Sequence, residues 1–458
     1  MTERFRQHLS ESGLVPEGCT VVLGYSGGAD STCLLHLMAE LGTADVIAVH
    51  LHHGQRAEAD KELELCEAFC KELDVPFMSG RADVPKIAKE MGVGLEEAGR
   101  HARYEFFDQC LSQTSAELVL TAHTLDDQVE TVLLNLVRGT GLRGLSGIPE
   151  KRGQIVRPLL PFTRAEARAY CDERGLWYHD DPANADVSFS RARIRHKVLP
   201  ELVEVNPAVR ESIGRLARLA DDEDRFLDGM AAAALEQAEV PLNGDLRFVS
   251  QDCEAAFRLE VLLALPRVLL ARAVRLATGA VGQAFGYEQT EAALGGLASE
   301  EKGSVTADGG QVVLEWGDGR ATVRSLRTEG PYKFPLTLPG ETVSDVFGWK
   351  LTAEHTGPSN YLRAPRSLDV VIDAEAVRGE LFFRSYEGGD RIRPLGLSGT
   401  KKLGDLLGEI GLTQAARARL PVVCDSEGPI WVPGGCIAER VKVTDGTAKC
   451  LRLRFAPL

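Results

Sequence analysis

The stretch Ser26-Gly-Gly-Ala-Asp-Ser31 constrains this chain more than any other. It follows a short apolar, β-branched run, Thr20-Val-Val-Leu-Gly-Tyr25, and precedes a segment in which Leu34, Leu35, Leu37, Met38 and Leu41 recur at helical spacing. Strand, glycine turn and helix in that order open a βα unit. Two further strand-like runs, Asp45 to Leu51 and Ala116 to Ala122, alternate with helical patterns over Glu58 to Leu73 and Val84 to Phe107. The alternation predicts a parallel sheet with helices on both faces and a ligand site at the carboxyl ends of the strands.

Two adjacent glycines let the backbone turn tightly and approach a phosphate, while the amides that follow and the helix N-terminus favour an anion. A plain glycine-rich βα turn has the same composition, so what the loop lacks also counts. The G-x-x-x-x-G-K-[ST] phosphate loop carries a lysine that reaches the β and γ phosphates; Ser26 to Ser31 has no lysine and a different spacing. The form S-G-G-x-D-S resembles instead the PP-loop of the ATP pyrophosphatase superfamily. That resemblance implies a loop that grips pyrophosphate while the α-phosphate is attacked.

A second cluster, Ala122-His-Thr-Leu-Asp-Asp-Gln-Val-Glu-Thr131, stands at the end of the third strand. Val129, Val132, Leu133, Leu136 and Val137 mark one apolar helical face, which puts Asp127 and Glu130 on a neighbouring face near the first turn. Thr124 and Asp127 have the spacing of a capping box, and acids are favourable at a helix N-terminus in any case. Capping does not require His123, Asp126, Gln128 and Glu130 as well. A carboxylate pair at the ligand edge of a sheet suits an ammonium group, which needs opposite charge once partly desolvated.

Downstream the pattern changes. A helical stretch from Ala208 to Leu235 runs through Asp221-Asp-Glu-Asp224; further helices are predicted over Phe257 to Ala277 and Tyr287 to Leu297, and Gln311 to Trp316 with Ala321 to Leu326 reads as a hairpin. Gly330-Pro-Tyr-Lys-Phe-Pro335 reads as a linker into a strand-rich remainder with Gly and Pro turns. The expected architecture is α/β: a Rossmann-like domain over 1–210, a mainly helical domain with a β-hairpin over 211–330, and a strand-rich α+β domain over 331–458. The longest apolar candidate, Val261 to Ala271, is broken by Pro266 and Arg267, so no membrane span is expected. No apolar segment opens the chain, and the 10 cysteines include no C-x-x-C pair. A cytoplasmic protein with reduced thiols, without a tetrathiolate metal site, is the expectation.

The two clusters belong to a longer ordered set: His53-Gly-Gln-Arg56, Arg100-His-Ala-Arg-Tyr104, Arg138-Gly-Thr-Gly-Leu-Arg-Gly-Leu-Ser-Gly147, Arg157-Pro-Leu-Leu-Pro161, Asp181-Pro-Ala-Asn184 and Arg191-Ala-Arg-Ile-Arg195. Lys401-Lys-Leu-Gly-Asp-Leu-Leu407, Arg419-Leu-Pro421 and Trp431-Val-Pro-Gly434 close the series. In this order the motifs resemble those of the tRNA(Ile)-lysidine synthetases, densely before residue 200 and weakly from 210 to 330. Two positions depart from the family pattern: Ala192 stands where Asn is usual, and Thr124 follows His123 where a second His is common.

The resemblance implies a C–N-forming ligase that joins L-lysine to C2 of the wobble cytidine of a tRNA(Ile) with anticodon CAU. ATP and Mg²⁺ would be the cofactors and an adenylated cytidine the intermediate. By motif, Ser26, Gly27, Gly28, Ala29, Asp30 and Ser31 fall to the ATP pyrophosphate and its Mg²⁺ surroundings, with no direct metal ligand specified. His53, Arg56 and Arg100 fall to the nucleotide side of the site. Asp127 and Glu130 become a clamp for the lysine ammonium, Arg103 a partner for its carboxylate, and His123 a neighbour of the reacting base or phosphate. The tRNA contacts are expected at Arg138, Arg143, Arg191, Arg193, Arg195, Lys401 and Lys402. The oligomeric state is left open, a homodimer included.

Net charge bears on the RNA partner, because phosphate binding is driven by cations releasing counterions. The chain has 52 Lys+Arg against 67 Asp+Glu, net −15. Three segments run against that balance: 138–157 and 188–197 at +4 each, and 384–419 at +3. A basic face on an acidic body is expected, with RNA contact confined to it. A PP-loop tRNA thiolase of the 2-thiocytidine type is an alternative, but that family typically uses C-x-x-C cysteines. A glutamine-fed amidotransferase lacks an identifiable nucleophilic cysteine or glutaminase domain here. A non-catalytic tRNA-binding protein with a decayed nucleotide fold sits poorly with the intact S-G-G-x-D-S and D-D-Q-x-E-T sets.

Overall fold

In the computed structural model, which describes residues 1–52, 59–179, 190–299, 301–327, 330–357 and 367–458, contacts divide the chain into two units, Met1–Arg225 and Phe226–Leu458. The first contains α1 (Thr2–Ser12), β1 (Thr20–Gly24), α2 (Ala29–Leu41), β2 (Asp45–His52), α3 (Ala59–Glu72), β3 (Phe77–Arg81), α4 (Val84–Met91), α5 (Leu95–Gln113) and β4 (Leu118–Leu120). It continues with α6 (Leu125–Arg138), α7 (Leu142–Leu145), β5 (Lys151–Arg152), β6 (Ile155–Val156), α8 (Arg164–Arg174), α9 (Ser190–Arg193), a π-helical turn Ile194–Val198, α10 (Leu199–Val205) and most of α11 (Val209–Ala238).

The first sheet has the order β3-β2-β1-β4-β6-β5. All its pairings are parallel except that of β5 with β6. β1 shows why the sequence run is apolar without alternation. Val21 and Leu23 enter one core with Phe5, Leu34, Leu37 and Phe162, while Val22 enters the opposite core with Val49, Phe107 and Val119. A strand covered on both faces has no polar side. β3 was not anticipated, because Phe77-Met-Ser-Gly-Arg81 is an edge strand carrying neither alternation nor β-branched residues. The strand order reverses between β1 and β4, and such a switch opens a crevice at the carboxyl ends. Both motif clusters lie at that end.

In the second unit β7 (Glu254–Arg258), α12 (Leu259–Leu263), α13 (Arg267–Ala280), α14 (Tyr287–Leu297), β8 (Gly303–Thr306), β9 (Val312–Gly317) and β10 (Arg320–Ser325) form a four-stranded sheet, order β7-β10-β9-β8, with helices around one core. The anticipated hairpin is β9–β10. The helix expected from Phe257 is corrected: Phe257 pairs with Ala321 in β7, and Pro266 starts a separate helix. The strand-rich remainder forms a five-stranded and a four-stranded antiparallel sheet. The stretch read as a linker is partly an edge strand, Lys333–Pro335 pairing with Phe382–Arg384, a place where Pro335 costs no ladder bond. Leu246, Phe248 and Val249 belong to the same core as these strands. Among the described residues no helix is long and apolar enough to cross a membrane.

Candidate active site

The loop after β1 is held by its own serines. Ser31 Oγ donates to Gly28 O at 3.0 Å and accepts from the Ser26 amide at 3.2 Å, and the two hydroxyl oxygens lie 3.1 Å apart. Gly27 has φ +78°, and a Cβ there would fall 2.9 Å from both Cys66 Sγ and His179 Nδ1. Its carbonyl accepts from the His179 amide at 3.0 Å. Gly28 caps α2, so Ala29 and Asp30 lie in its first turn, where amides have no intrahelical acceptor. The result is a preformed anion cradle with one carboxylate at its edge.

That carboxylate is under strain from its surroundings. Burial pushes Asp30 up to about 6, Arg164 pulls the other way, and Asp127 and Asp126 add repulsion. Among the described residues Asp30 Oδ1 is buried with no hydrogen-bond partner, whereas Oδ2 meets Arg164 Nε at 3.3 Å.

α6 begins with the capping box that the spacing allowed: Asp127 Oδ2 accepts from the Thr124 amide at 2.9 Å and from Thr124 Oγ1 at 3.0 Å. Its other oxygen faces Arg164 Nη2 at 2.9 Å, so capping and site chemistry use the two sides of one carboxylate. Burial alone would raise Asp127, but Arg164, the Thr124 amide and His123 hold it below the usual carboxylate range. Glu130 is 1 % exposed and takes a two-pronged contact from Arg195, Nε–Oε1 2.7 Å and Nη2–Oε2 3.0 Å, with Arg164 Nη1 at 3.6 Å. Asp126 accepts from the Arg164 amide at 2.8 Å and from Arg210 Nε at 3.0 Å. Both carboxylates expected to clamp the lysine ammonium are met by guanidiniums.

Arg195, expected at tRNA, has its guanidinium on Glu130, where it supplies the partner a buried carboxylate requires. Arg164 carried no motif signal; as the residue after Thr163 in Thr163-x-x-Glu166, a capping box, it had only a helix-start signature. Gln128 also gains a role: its amide donates to Ser146 O at 3.0 Å and accepts from the Ile148 amide at 2.5 Å, docking the 138–147 loop on α6, with Asn135 bonding Gly144 O at 2.8 Å.

His123 Nδ1 lies 3.0 Å from Thr121 Oγ1. Burial lowers the imidazole to about 4, opposed by Asp127 and reinforced by Arg157, Arg103 and Arg100, so it is neutral at ordinary pH. Arg103 and Arg100 are exposed on α5, Arg100 stacking over Tyr104 at 4.9 Å. Arg157 is 3 % exposed and donates to Pro149 O at 2.7 Å, which removes it from the basic surface. His53, Arg56 and Asp181 to Asn184 lie outside the described residues.

Of the other cations expected at tRNA, Arg138, Arg143, Arg191, Arg193 and Lys402 are exposed, and Lys401 is half-buried against Glu409. Arg138 and Arg191 line a cavity of about 360 Å³ with Glu96, Thr131, Leu134 and Asn135. In the last basic segment Arg384 is paired twice with Asp390, at 2.8 and 2.7 Å, and Arg419 with Asp252. Both are structural cations, so the basic face is smaller than charge counting implied.

Residues 1–202 match the PP-loop domain model, and residues 381–455 the TilS substrate C-terminal domain model. A tRNA(Ile)-lysidine synthase of Caldanaerobacter subterraneus subsp. tengcongensis is 30% identical over 99% of this chain and 97% of its own length. That of Geobacillus kaustophilus is 31% identical over 95% and 94%. A solved TilS C-terminal domain is 27% identical over 28% of this chain and 98% of its own, with a TM-score of 0.26.

Proposed function

Since the chain belongs to the tRNA(Ile)-lysidine synthase family, we propose that it ligates L-lysine to C2 of the wobble cytidine of a CAU-anticodon tRNA(Ile) in two steps. The cytosine O2 attacks the α-phosphate of ATP, expelling pyrophosphate and leaving O2 adenylated. The lysine ε-ammonium gives up a proton to solvent, the free amine attacks C2, the C2–O2 bond breaks, and AMP leaves with the oxygen. No enzyme nucleophile is required; the protein supplies position and charge.

The observation that carries this reading is the set of three carboxylates, Asp30, Asp127 and Glu130, around one guanidinium beside the glycine loop. The loop amides, Ser26 and Ser31 receive the pyrophosphate. Asp30 is the residue that would hold Mg²⁺, since Oδ1 is a buried oxygen without a partner among the described residues, and Mg²⁺ on a nucleotide needs only one or two protein carboxylates. When bound, the ion neutralises charge on the departing pyrophosphate. Asp127 and Glu130 receive the lysine ammonium and Arg103 its carboxylate. Neutral His123 offers a hydrogen bond at the reacting base. Arg100 lies on the nucleotide side, as His53 and Arg56 would by motif. Arg138, Arg143, Arg191, Arg193, Lys401 and Lys402 contact tRNA phosphates, in the cytoplasm, where uncharged tRNA is available.

Incubation with ATP, Mg²⁺, radiolabelled lysine and a CAU-anticodon transcript tests this. Label is expected in RNA with stoichiometric AMP and pyrophosphate. Sulfur or ammonia incorporation without lysine would overturn it.

A further inference from the structure

Arg164 has an unusual position among the cations of the site. Four carboxylates, Asp30, Asp126, Asp127 and Glu130, are met by three guanidiniums. Arg195 and Arg210 each serve one carboxylate side chain. Among the described residues Arg164 alone is shared, with Asp127 at 2.9 Å, Asp30 at 3.3 Å and Glu130 at 3.6 Å. Only the first is a short contact, so its charge is spread over three acids rather than locked in a two-pronged pair.

Its backbone, by contrast, is fixed. The capping box of Thr163 and Glu166 sets the start of α8, the Arg164 amide bonds Asp126 Oδ2 at 2.8 Å, and the Leu125 amide bonds Phe162 O at 2.8 Å. A rigid root carries a long side chain, 29% exposed, that bridges from the first turn of α2 to the first turn of α6. The guanidinium occupies the position on Asp127 and Glu130 that a substrate ammonium needs, and its Nε lies beside the carboxylate at the edge of the phosphate cradle.

Building on the lysidine reading, we propose that Arg164 is an exchangeable counter-ion that neutralises Asp127 and Glu130 in the nucleotide-free protein and turns onto the ATP phosphates when nucleotide binds, uncovering those carboxylates for the lysine ammonium. The triphosphate is a stronger attractor for a guanidinium than a shared carboxylate, and Asp127, left without it beside a Glu130 that keeps Arg195, must take another cation. Lysine binding is thereby ordered after ATP, and because the coupling is reciprocal, lysine tightens ATP. Arg164 acts here as a positioning residue that denies the amine its site until the base can be activated.

Calorimetric titration of lysine into the full chain, with and without α,β-methylene-ATP and Mg²⁺, tests the exchange. Wild type should bind lysine about tenfold tighter or more with the analogue present. Arg164→Met should gain lysine binding without nucleotide and lose the dependence on the analogue, a gain that a merely structural arginine would not give. Arg164→Lys, charged but shorter, should keep part of the dependence. Equal lysine affinity of wild type in both states overturns the proposal even if Arg164→Met fails to fold; so does a folded Arg164→Met that retains full nucleotide dependence. Lysine transfer to tRNA by a wild type whose lysine affinity ignores nucleotide would overturn the counter-ion role alone. No transfer and no lysine binding in either state would overturn the lysidine reading with it.

Discussion

Arg195, on the π-helical turn before α10, places Nε and Nη2 on the two oxygens of Glu130, 65 residues earlier and 1 % exposed. The pair joins the segment 190–198 to helix α6. Arg195→Ala leaves that buried carboxylate, among the described residues, with only the longer contact to Arg164, and should cost about 2–4 kcal/mol in urea unfolding. The double variant Arg195→Ala/Glu130→Gln should recover part of the loss. Additive losses would show that the two residues are not coupled.

Salt dependence of tRNA binding separates surface cations from internal ones. Replacing an exposed cation such as Arg191, Arg143 or Lys402 by Ala should reduce the slope of log K against log salt by about 1. Arg157→Ala, Arg384→Ala and Arg419→Ala should leave the slope unchanged and lower the melting temperature instead. A slope change in the second group would put those side chains at the RNA.

Gly27→Ala meets both a positive φ of 78° and a Cβ position 2.9 Å from Cys66 Sγ and His179 Nδ1. Destabilisation of about 2 kcal/mol or more is expected, with loss of ATP binding by calorimetry. Gly28→Ala, whose Cβ would meet only Ser26 Oγ at 3.5 Å, should be the milder change.

His123 supplies a pH test. Its imidazole is lowered to about 4 from an ordinary 6.5, mainly by burial. Between those values the unfolded chain holds the extra proton, so this group's contribution to stability rises with pH across the window and is complete above it. His123→Gln should therefore compare more favourably with wild type at pH 5 than at pH 7.5, by about 1–2 kcal/mol in urea unfolding. A difference equal at both pH values would mean that the imidazole titrates normally.

Asp30→Ala should abolish AMP formation, a loss of about a hundredfold or more, while tRNA affinity in a filter-binding assay stays within about twofold. Glu130→Ala should act more on lysine use than on tRNA binding. Parallel loss of tRNA affinity in both variants would contradict the roles proposed for them.

Local patterns determined much of this protein. The βα alternation, the glycine loop between strand and helix, the Thr124–Asp127 cap and the β9–β10 hairpin depend on neighbours within a few residues, and that is the range over which propensity and spacing act. The ordered motifs also placed Asp30, His123, Asp127 and Glu130 at one edge of one sheet. What the chain folds back on itself decided the rest. Arg164 and Arg195 reach the acids from 34 to 134 residues away, so no spacing rule selects them over Arg157, which is buried beneath the surface it was expected to supply. Whether a charge meets solvent, RNA or another charge is a matter of burial, because a carboxylate taken out of water demands a cation wherever the fold can bring one.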